Sequence, residues 1–193
     1  MGVSARRGSF VRVDIGGDFH FNLDQGIEKS TDPDEGEPRA DLREDLGVGA
    51  AYDVLAGMAK VDGDRIGVIG HCWGGRIAWL AACHNPGYKA AAVLYGGRIE
   101  VAMGPGTVPP SELAHRIPCP MIGIFGNDDE NPSPADVDDL DAALTAAGVA
   151  HTFHRYDGAG HGFQDFGNAA RYRKAASADA WDKLLAFFNT ELT

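Results

Sequence analysis

A single cysteine stands between glycines in the stretch RIGVIGHCWGGRIAWLAAC, residues 65–83. An apolar run ends at Gly70, Cys72 follows after one residue, and Gly74 comes two residues later, where a helix-like pattern begins. When a strand turns into a helix through one residue, that residue takes a strained backbone conformation, and its neighbours two before and two after have no room for a side chain. The spacing therefore predicts a sharp turn that lifts the Cys72 thiol out of the sheet.

The same position would activate the thiol of Cys72. The N-terminus of the following helix carries partial positive charge, which favours the thiolate, the reactive form of cysteine. The competing interpretation is a buried, inert cysteine beside a glycine turn. We interpret Cys72 as a nucleophile, and Cys83, inside the helix, and Cys119, between two prolines, as structural residues.

A cysteine nucleophile needs a base, and the base needs an orienting group. His161 is the candidate base, in the glycine-rich stretch YDGAGHGFQDF. Asp128 and Asp129 both follow an apolar run and compete for the orienting role, and Asp157 is a third candidate. The alternatives are an exposed loop histidine and turn acids that cap the next helix.

Alternating strands and helices would position these side chains. Strands are predicted at 65–70, within 88–97, at 121–126 and at 151–156, and helices at about 73–84, 133–149 and 168–189. This alternation predicts an α/β fold, a mostly parallel sheet with helices on both faces, whose functional loops lie at the carboxyl ends of the strands. Cys72, Asp128 and His161 each follow a predicted strand.

The N-terminal part of the chain has a different pattern. Residues 9–17 alternate apolar and polar side chains and predict one strand, while the polar stretch 28–45 predicts an exposed loop. Residues 40–59 have apolar side chains at helical spacing, interrupted by three glycines. We expect a single domain over residues 1–193, with an atypical, loop-rich segment at 1–45.

Composition limits the classes of partner and compartment. The formal charge is −11, from 17 basic and 28 acidic residues, which argues against nucleic acid or an anionic membrane as a partner. Three cysteines without paired spacing favour a reducing compartment. The N-terminus lacks the apolar stretch of a secretory signal, and no apolar run approaches the ~20 residues of a membrane helix. We expect a soluble, cytoplasmic protein that uses no metal or organic cofactor.

Four stretches, in this order along the chain, resemble the dienelactone hydrolase family, a branch of the α/β-hydrolase fold that uses cysteine. They are GHCWGGRIAWLAA, YKAAAVLYGG, FGNDDENPSP and YDGAGHGF. The resemblance covers about residues 60–190. It implies an α/β-hydrolase-like fold with a shortened N-terminal region.

The resemblance also implies roles for particular residues. Cys72 is implied as the nucleophile and His161 as its base. Asp128 is implied as the acid, because aligning Gly126 and Pro132 with the family's glycine and proline selects it. The backbone N–H of Trp73 can supply one oxyanion donor.

The chain departs from the family pattern in two places. The upstream segment that supplies a second oxyanion amide and an activating glutamate has no match here. The family's substrate-binding arginine, shortly after the histidine, is replaced by Gln164 and Asp165. Arg98 is the candidate cation for an acid-bearing substrate, and a surface arginine is the alternative interpretation.

These observations predict a carboxylic ester hydrolase that cleaves a small-molecule ester or lactone through a Cys-His-Asp triad. Two other functions stay open: a shortened, non-catalytic relative that acts as a binding or assembly subunit, and a redox-sensing thiol protein. An open sheet edge would favour pairing with another chain, so a homodimer is expected whether the protein is an enzyme or a non-catalytic relative.

Overall fold

A computed structural model describes the backbone of residues 9–13, 19–22 and 26–29, and the chain at 49–104 and 106–193. Residues 14–17 of the first predicted strand, the predicted loop from residue 30 onward and the first part of the helix predicted at 40–59 lie outside the described residues. The remainder of that helix is helical over residues 49–56 (α1).

Five parallel strands form the main sheet, in the order β1-β4-β5-β6-β7. They are β1 (Ser9–Val13), β4 (Ile66–His71), β5 (Ala90–Leu94), β6 (Met121–Gly126) and β7 (His151–Tyr156). The prediction of a mostly parallel sheet is confirmed. β1 pairs with β4 and is the edge strand on that side of the sheet.

Three further helices follow the predicted alternation. They are α2 (Trp73–His84), α3 (Pro134–Ala147) and α4 (Lys174–Glu191). Ser133 caps α3 through a reciprocal pair of hydrogen bonds with Asp136, and Gly148 ends it with a φ of 70°. The predicted bounds of α3 are therefore confirmed.

Other elements differ from the prediction. Two short strands, β2 (Phe19–Asn22) and β3 (Gly26–Lys29), form an antiparallel pair, and 3-10 helices occupy Gly63–Arg65 and Pro110–Arg116. The last helix begins at Lys174 rather than near 168. The side chain of Asn168 accepts the backbone N–H of Ala170, and such a local bond competes with helix formation.

Helices cover both faces of the sheet, as predicted. In β5, Ala91 and Val93 pack into the core that includes α2 and α3, while Ala92 and Leu94 pack into the core that includes α4. Both faces of this strand are buried, which explains its continuous apolar run.

Helix α4 contacts β4 at both ends of the strand. Near the start of β4, a Cβ on Gly67 would lie 2.8 Å from Phe188 Cε1 and 3.2 Å from Leu192 Cδ1, so glycine permits the close approach. At the other end, the Trp181 ring of α4 lies 6.2 Å from the ring of His71. The strand that leads to Cys72 is thus approached by α4 near both of its ends.

Candidate active site

Cys72 occupies the one-residue turn between β4 and α2. Its backbone has a φ of 55° and a ψ of −122°, a conformation that L-residues rarely adopt. A Cβ on Gly70 would lie 1.7 Å from the carbonyl oxygen of Gly74, and one on Gly75 would lie 2.7 Å from Cα of Gly96. The predicted sharp turn is present, and the steric demand for glycine at Gly70 is confirmed.

The loop after β7 brings His161 to the cysteine. His161 Nε2 lies 2.8 Å from Cys72 Sγ, and the thiol is exposed. This loop packs tightly on the end of β6, because a Cβ on Gly126 would lie 2.1 Å from the carbonyl oxygen of Ala159. The backbone N–H of Asp128 donates to the same Ala159 oxygen, at 2.9 Å. Two residues 89 apart in sequence therefore meet above the strand ends.

Asp129, not Asp128, contacts the histidine. Asp129 Oδ2 lies 2.9 Å from His161 Nδ1, and the Asp129 side chain is only 3% exposed. Asp128 is exposed, and its carboxylate accepts the backbone N–H of Gly158 at 3.3 Å. The choice of Asp128 as the histidine's partner is therefore wrong. The turn after Gly126 directs the side chain of Asp128 to the neighbouring loop and that of the next residue inward.

The third candidate acid makes a different contact. Asp157 Oδ1 accepts a hydrogen bond of 2.6 Å from the side-chain amide of Asn127. This pair ties the loop after β6 to the loop after β7. Asp157 therefore stabilises the arrangement of the two loops and is not the partner of His161 Nδ1.

The contacts shift the pKa values of Cys72 and His161 in opposite directions. The hydrogen bond from His161 is the main cause that lowers the pKa of the Cys72 thiol, the charge of His161 and the Trp73 backbone N–H act in the same sense, and partial burial and Asp129 oppose it. The hydrogen bond to Asp129, followed by that to Cys72, raises the pKa of His161 to about 10. Both shifts favour a thiolate–imidazolium pair near neutral pH.

Aromatic rings surround this pair. The buried ring of Tyr95 stands edge-on to His161, with ring centres 5.4 Å apart, and to His71, at 5.8 Å. Tyr95 has a positive φ of 38°, at the end of β5. The sequence pattern indicates no site role for Tyr95, because a tyrosine at a strand end has the pattern of a core residue.

The contacts of three residues bear on the binding of substrate charge: the candidate cation Arg98, and Gln164 and Asp165, which replace the family's arginine. Arg98 is exposed on the loop after β5, and its backbone N–H donates to Asn131 Oδ1 at 3.1 Å. Gln164 is buried at 9% exposure, and Asp165 is exposed and accepts the N–H of Gly167. Neither Gln164 nor Asp165 carries a positive charge.

An open cleft of about 310 Å³ borders the histidine. It is lined by Asp128, Asp129, Glu130, Asn131 and His161. Within residues 49–104 and 106–193 and the described strands before them, no group of three or more His, Cys, Asp or Glu side chains could hold a metal ion. No helix in this part of the chain is both long and apolar enough to span a membrane.

The parallel sheet covered by helices and the loops at its strand ends define a protein with an α/β-hydrolase-like fold. A family model described as the dienelactone hydrolase family matches residues 28–192. The chain belongs to the dienelactone hydrolase family.

Curated relatives share this family. The chain is 36% identical over 169 residues to a candidate carboxymethylenebutenolidase of Synechocystis, covering 87% of the chain and 67% of the relative. It is 34% identical over 152 residues to a candidate carboxymethylenebutenolidase of Methylorubrum extorquens, covering 78% of the chain and 51% of the relative. The chain therefore spans about half to two thirds of the length of these relatives.

Solved structures give the same fold. A candidate dienelactone hydrolase from Klebsiella pneumoniae superposes with a TM-score of 0.69 at 30% identity, covering 82% of this chain and 70% of that one. A dienelactone hydrolase-like promiscuous phosphotriesterase from metagenomic libraries superposes with a TM-score of 0.67 at 21% identity, covering 79% of this chain and 63% of that one, which is a likeness of fold alone.

Proposed function

We propose that this protein hydrolyses an ester or lactone of a small molecule through a cysteine nucleophile. The observation that carries the proposal is the continuous contact from Cys72 Sγ through the His161 ring to Asp129, at 2.8 and 2.9 Å. A nucleophile, a base within hydrogen-bond reach and a third group that orients the base are what acyl transfer needs.

In the first step, the Cys72 thiolate attacks the carbonyl carbon of the substrate, and the carbonyl oxygen gains the negative charge. The Trp73 N–H, at the first residue of α2, helps to lower the pKa of the Cys72 thiol and supplies one donor for this oxyanion. His161 Nε2–H then gives its proton to the departing alkoxide. The carbon–oxygen bond breaks, and a thioester of Cys72 with the acyl group remains.

In the second step, water releases the acyl group. His161, now neutral, takes a proton from the water at Nε2, and the resulting hydroxide adds to the thioester carbonyl. The carbon–sulfur bond breaks, the carboxylic acid leaves, and Cys72 returns to the thiolate beside protonated His161. Asp129 accepts from Nδ1–H throughout, which keeps Nε2 directed at the reacting atoms.

Hydrolysis of p-nitrophenyl acetate tests the proposal. Cys72→Ala and His161→Ala are expected to remove turnover, whereas Cys83→Ala, which alters a buried cysteine in α2, keeps it. Alkylation of Cys72 without turnover in the unmodified protein would favour a redox-sensing thiol. If neither alkylation nor turnover is observed, a binding or assembly subunit is favoured.

We also propose Arg98 as the group that accommodates an acidic acyl chain. The carboxylates of Asp128, Asp129 and Glu130 beside His161 repel an anionic substrate, and Arg98 is joined through its backbone to Asn131 at the same cleft. Arg98→Gln is expected to raise KM for an ester with a terminal carboxylate and leave KM for p-nitrophenyl acetate unchanged. Equal effects on both esters would remove Arg98 from substrate binding. The homodimer stays a prediction, which sedimentation tests.

A further inference from the structure

The acid loop, residues 127–131, is tied to the loop after β5 by one side chain. We propose that Asn131 is a positioning residue that holds this loop so that Asp129 faces His161, an inference that rests on the proposed function. Asn131 lies two residues after Asp129 and lines the cleft. Its hydrogen bonds go to Arg98 and Asp129 and not to the sulfur or the imidazole, so it acts through Asp129.

Asn131 makes hydrogen bonds in two directions. Its backbone N–H donates to Asp129 Oδ1 at 2.9 Å, leaving Oδ2 for His161. Its side-chain oxygen accepts the backbone N–H of Arg98 at 3.1 Å. Because the residue is exposed, apolar burial does not fix it, and the bond to the neighbouring loop sets its position.

The loop after β5 is shaped to receive Asn131. A Cβ on Gly97 would lie 2.9 Å from Asn131 Oδ1 and 3.0 Å from both Nδ2 and the backbone oxygen. Such distances are below ordinary van der Waals contact, so glycine allows the two loops to meet. Arg98 itself has a positive φ of 57°, which non-glycine residues seldom adopt without support from neighbouring structure.

Arg76 of α2 supplies that support. Its side chain is fully buried, its Nη1 donates to the carbonyl oxygens of Arg98 and Val101, and its guanidinium lies over the Trp73 ring, 5.7 Å from the centre. Because burial of an arginine is costly unless its donors are bonded, the two bonds from Nη1 offset part of the cost of burying Arg76. The helix that begins at Cys72 therefore anchors the loop that Asn131 binds.

The contacts form a closed circuit. It runs from Cys72 along α2 to Arg76, across to Arg98, then through Asn131 and Asp129 to His161 and back to the sulfur. If the side chain of Asn131 is removed, the carboxylate of Asp129 gains freedom and its bond to the imidazole weakens. The pKa of His161 then falls, the thiolate loses part of its stabilisation, and the pKa of Cys72 rises.

The test measures the pH dependence of Cys72 alkylation by iodoacetamide, which needs no ester substrate. In Asn131→Ala, the midpoint of the alkylation profile is expected to move upward by about half a pH unit. The kcat for p-nitrophenyl acetate is expected to fall about fivefold with KM unchanged, in keeping with loss of one hydrogen bond. An unchanged midpoint in a folded variant would overturn the proposal, because reduced folding alone lowers the reactive fraction without moving it.

Two further variants sharpen the test. Asn85→Ala removes an amide at the other end of α2, where it accepts the backbone N–H of Gly87, so its midpoint is expected to match the unmodified protein. In an Asp129→Asn background, Asn131→Ala is expected to have little additional effect, because both changes act on one contact. Independent effects in the double variant would contradict the proposal. Absence of ester hydrolysis with a shifted alkylation midpoint would count against the proposed function and leave the positioning role standing.

Discussion

The turn that carries Cys72 and the acid loop that carries Asp129 are held in place by different forces. At the turn, backbone atoms approach so closely that a single added carbon on Gly70 would lie 1.7 Å from an oxygen. At the acid loop, the placement of Asp129 depends on the hydrogen bonds that its carboxylate accepts from Asn131 and His161. Steric exclusion admits one residue type, whereas hydrogen bonds admit several residues at different cost. We therefore expect substitution of Gly70 to destabilise the fold and substitutions in the acid loop to reduce activity in steps.

The largest effect is expected at Gly70. Gly70→Ala should lower the free energy of unfolding by at least about 3 kcal/mol, because the backbone of Gly74 cannot move aside without disturbing α2. Urea unfolding followed by circular dichroism measures this. Gly49→Ala is the matched control: among the described residues nothing lies within 4 Å of its added carbon, and the change should stay within about 1 kcal/mol. Similar losses for both variants would refute the steric account.

The two neighbouring aspartates are expected to separate clearly in activity. Asp129→Asn should lower kcat/KM for p-nitrophenyl acetate at least about 100-fold, because the imidazole loses the carboxylate that orients it. Asp128→Asn, which alters a contact with Gly158, should change it by no more than about threefold. The reverse order of effects would restore Asp128 as the acid.

The smallest effect concerns thiol reactivity and pH. The pKa of Cys72 is lowered from its usual 9.0, so its alkylation rate in the folded protein should begin to fall at a lower pH than in the urea-unfolded chain. In the urea-unfolded chain the rate should fall about tenfold per pH unit below the usual pKa. Burial raises the pKa of Cys119 to about 11, so this thiol should stay unmodified until unfolding. Mass spectrometry of the alkylated peptides checks both thiols, and parallel profiles before and after unfolding would be inconsistent with activation of Cys72.

The sequence predicted the turn, because its cause is local. Glycine on both sides of Cys72, an apolar run before and a helical pattern after are all visible in one short stretch. The acid could not be chosen in the same way. Asp128 and Asp129 are chemically identical and adjacent, and only the packing of the loop against Ala159 decides which side chain faces inward.

The sequence pattern did not show that β2 pairs with β3. It also did not show where α4 begins, for a related reason. Residues 168–173 have composition suited to a helix, but Asn168 bonds to its own neighbourhood and Arg173 donates to the carbonyl oxygen of Gly158. Contacts with a distant loop thus override local preference. Long apolar strands and the capped helix α3 were predicted because local and tertiary preferences agree there.

The double contact of α4 with β4 matters to anyone who remodels this protein for new substrates. Phe188 and Leu192 pack near the start of β4, and the Trp181 ring lies near its end. A mutant library limited to the residues of the cleft would leave out these contacts between α4 and β4. We expect substitutions in α4 that alter these contacts to change the reactivity of Cys72, because β4 leads directly to that residue.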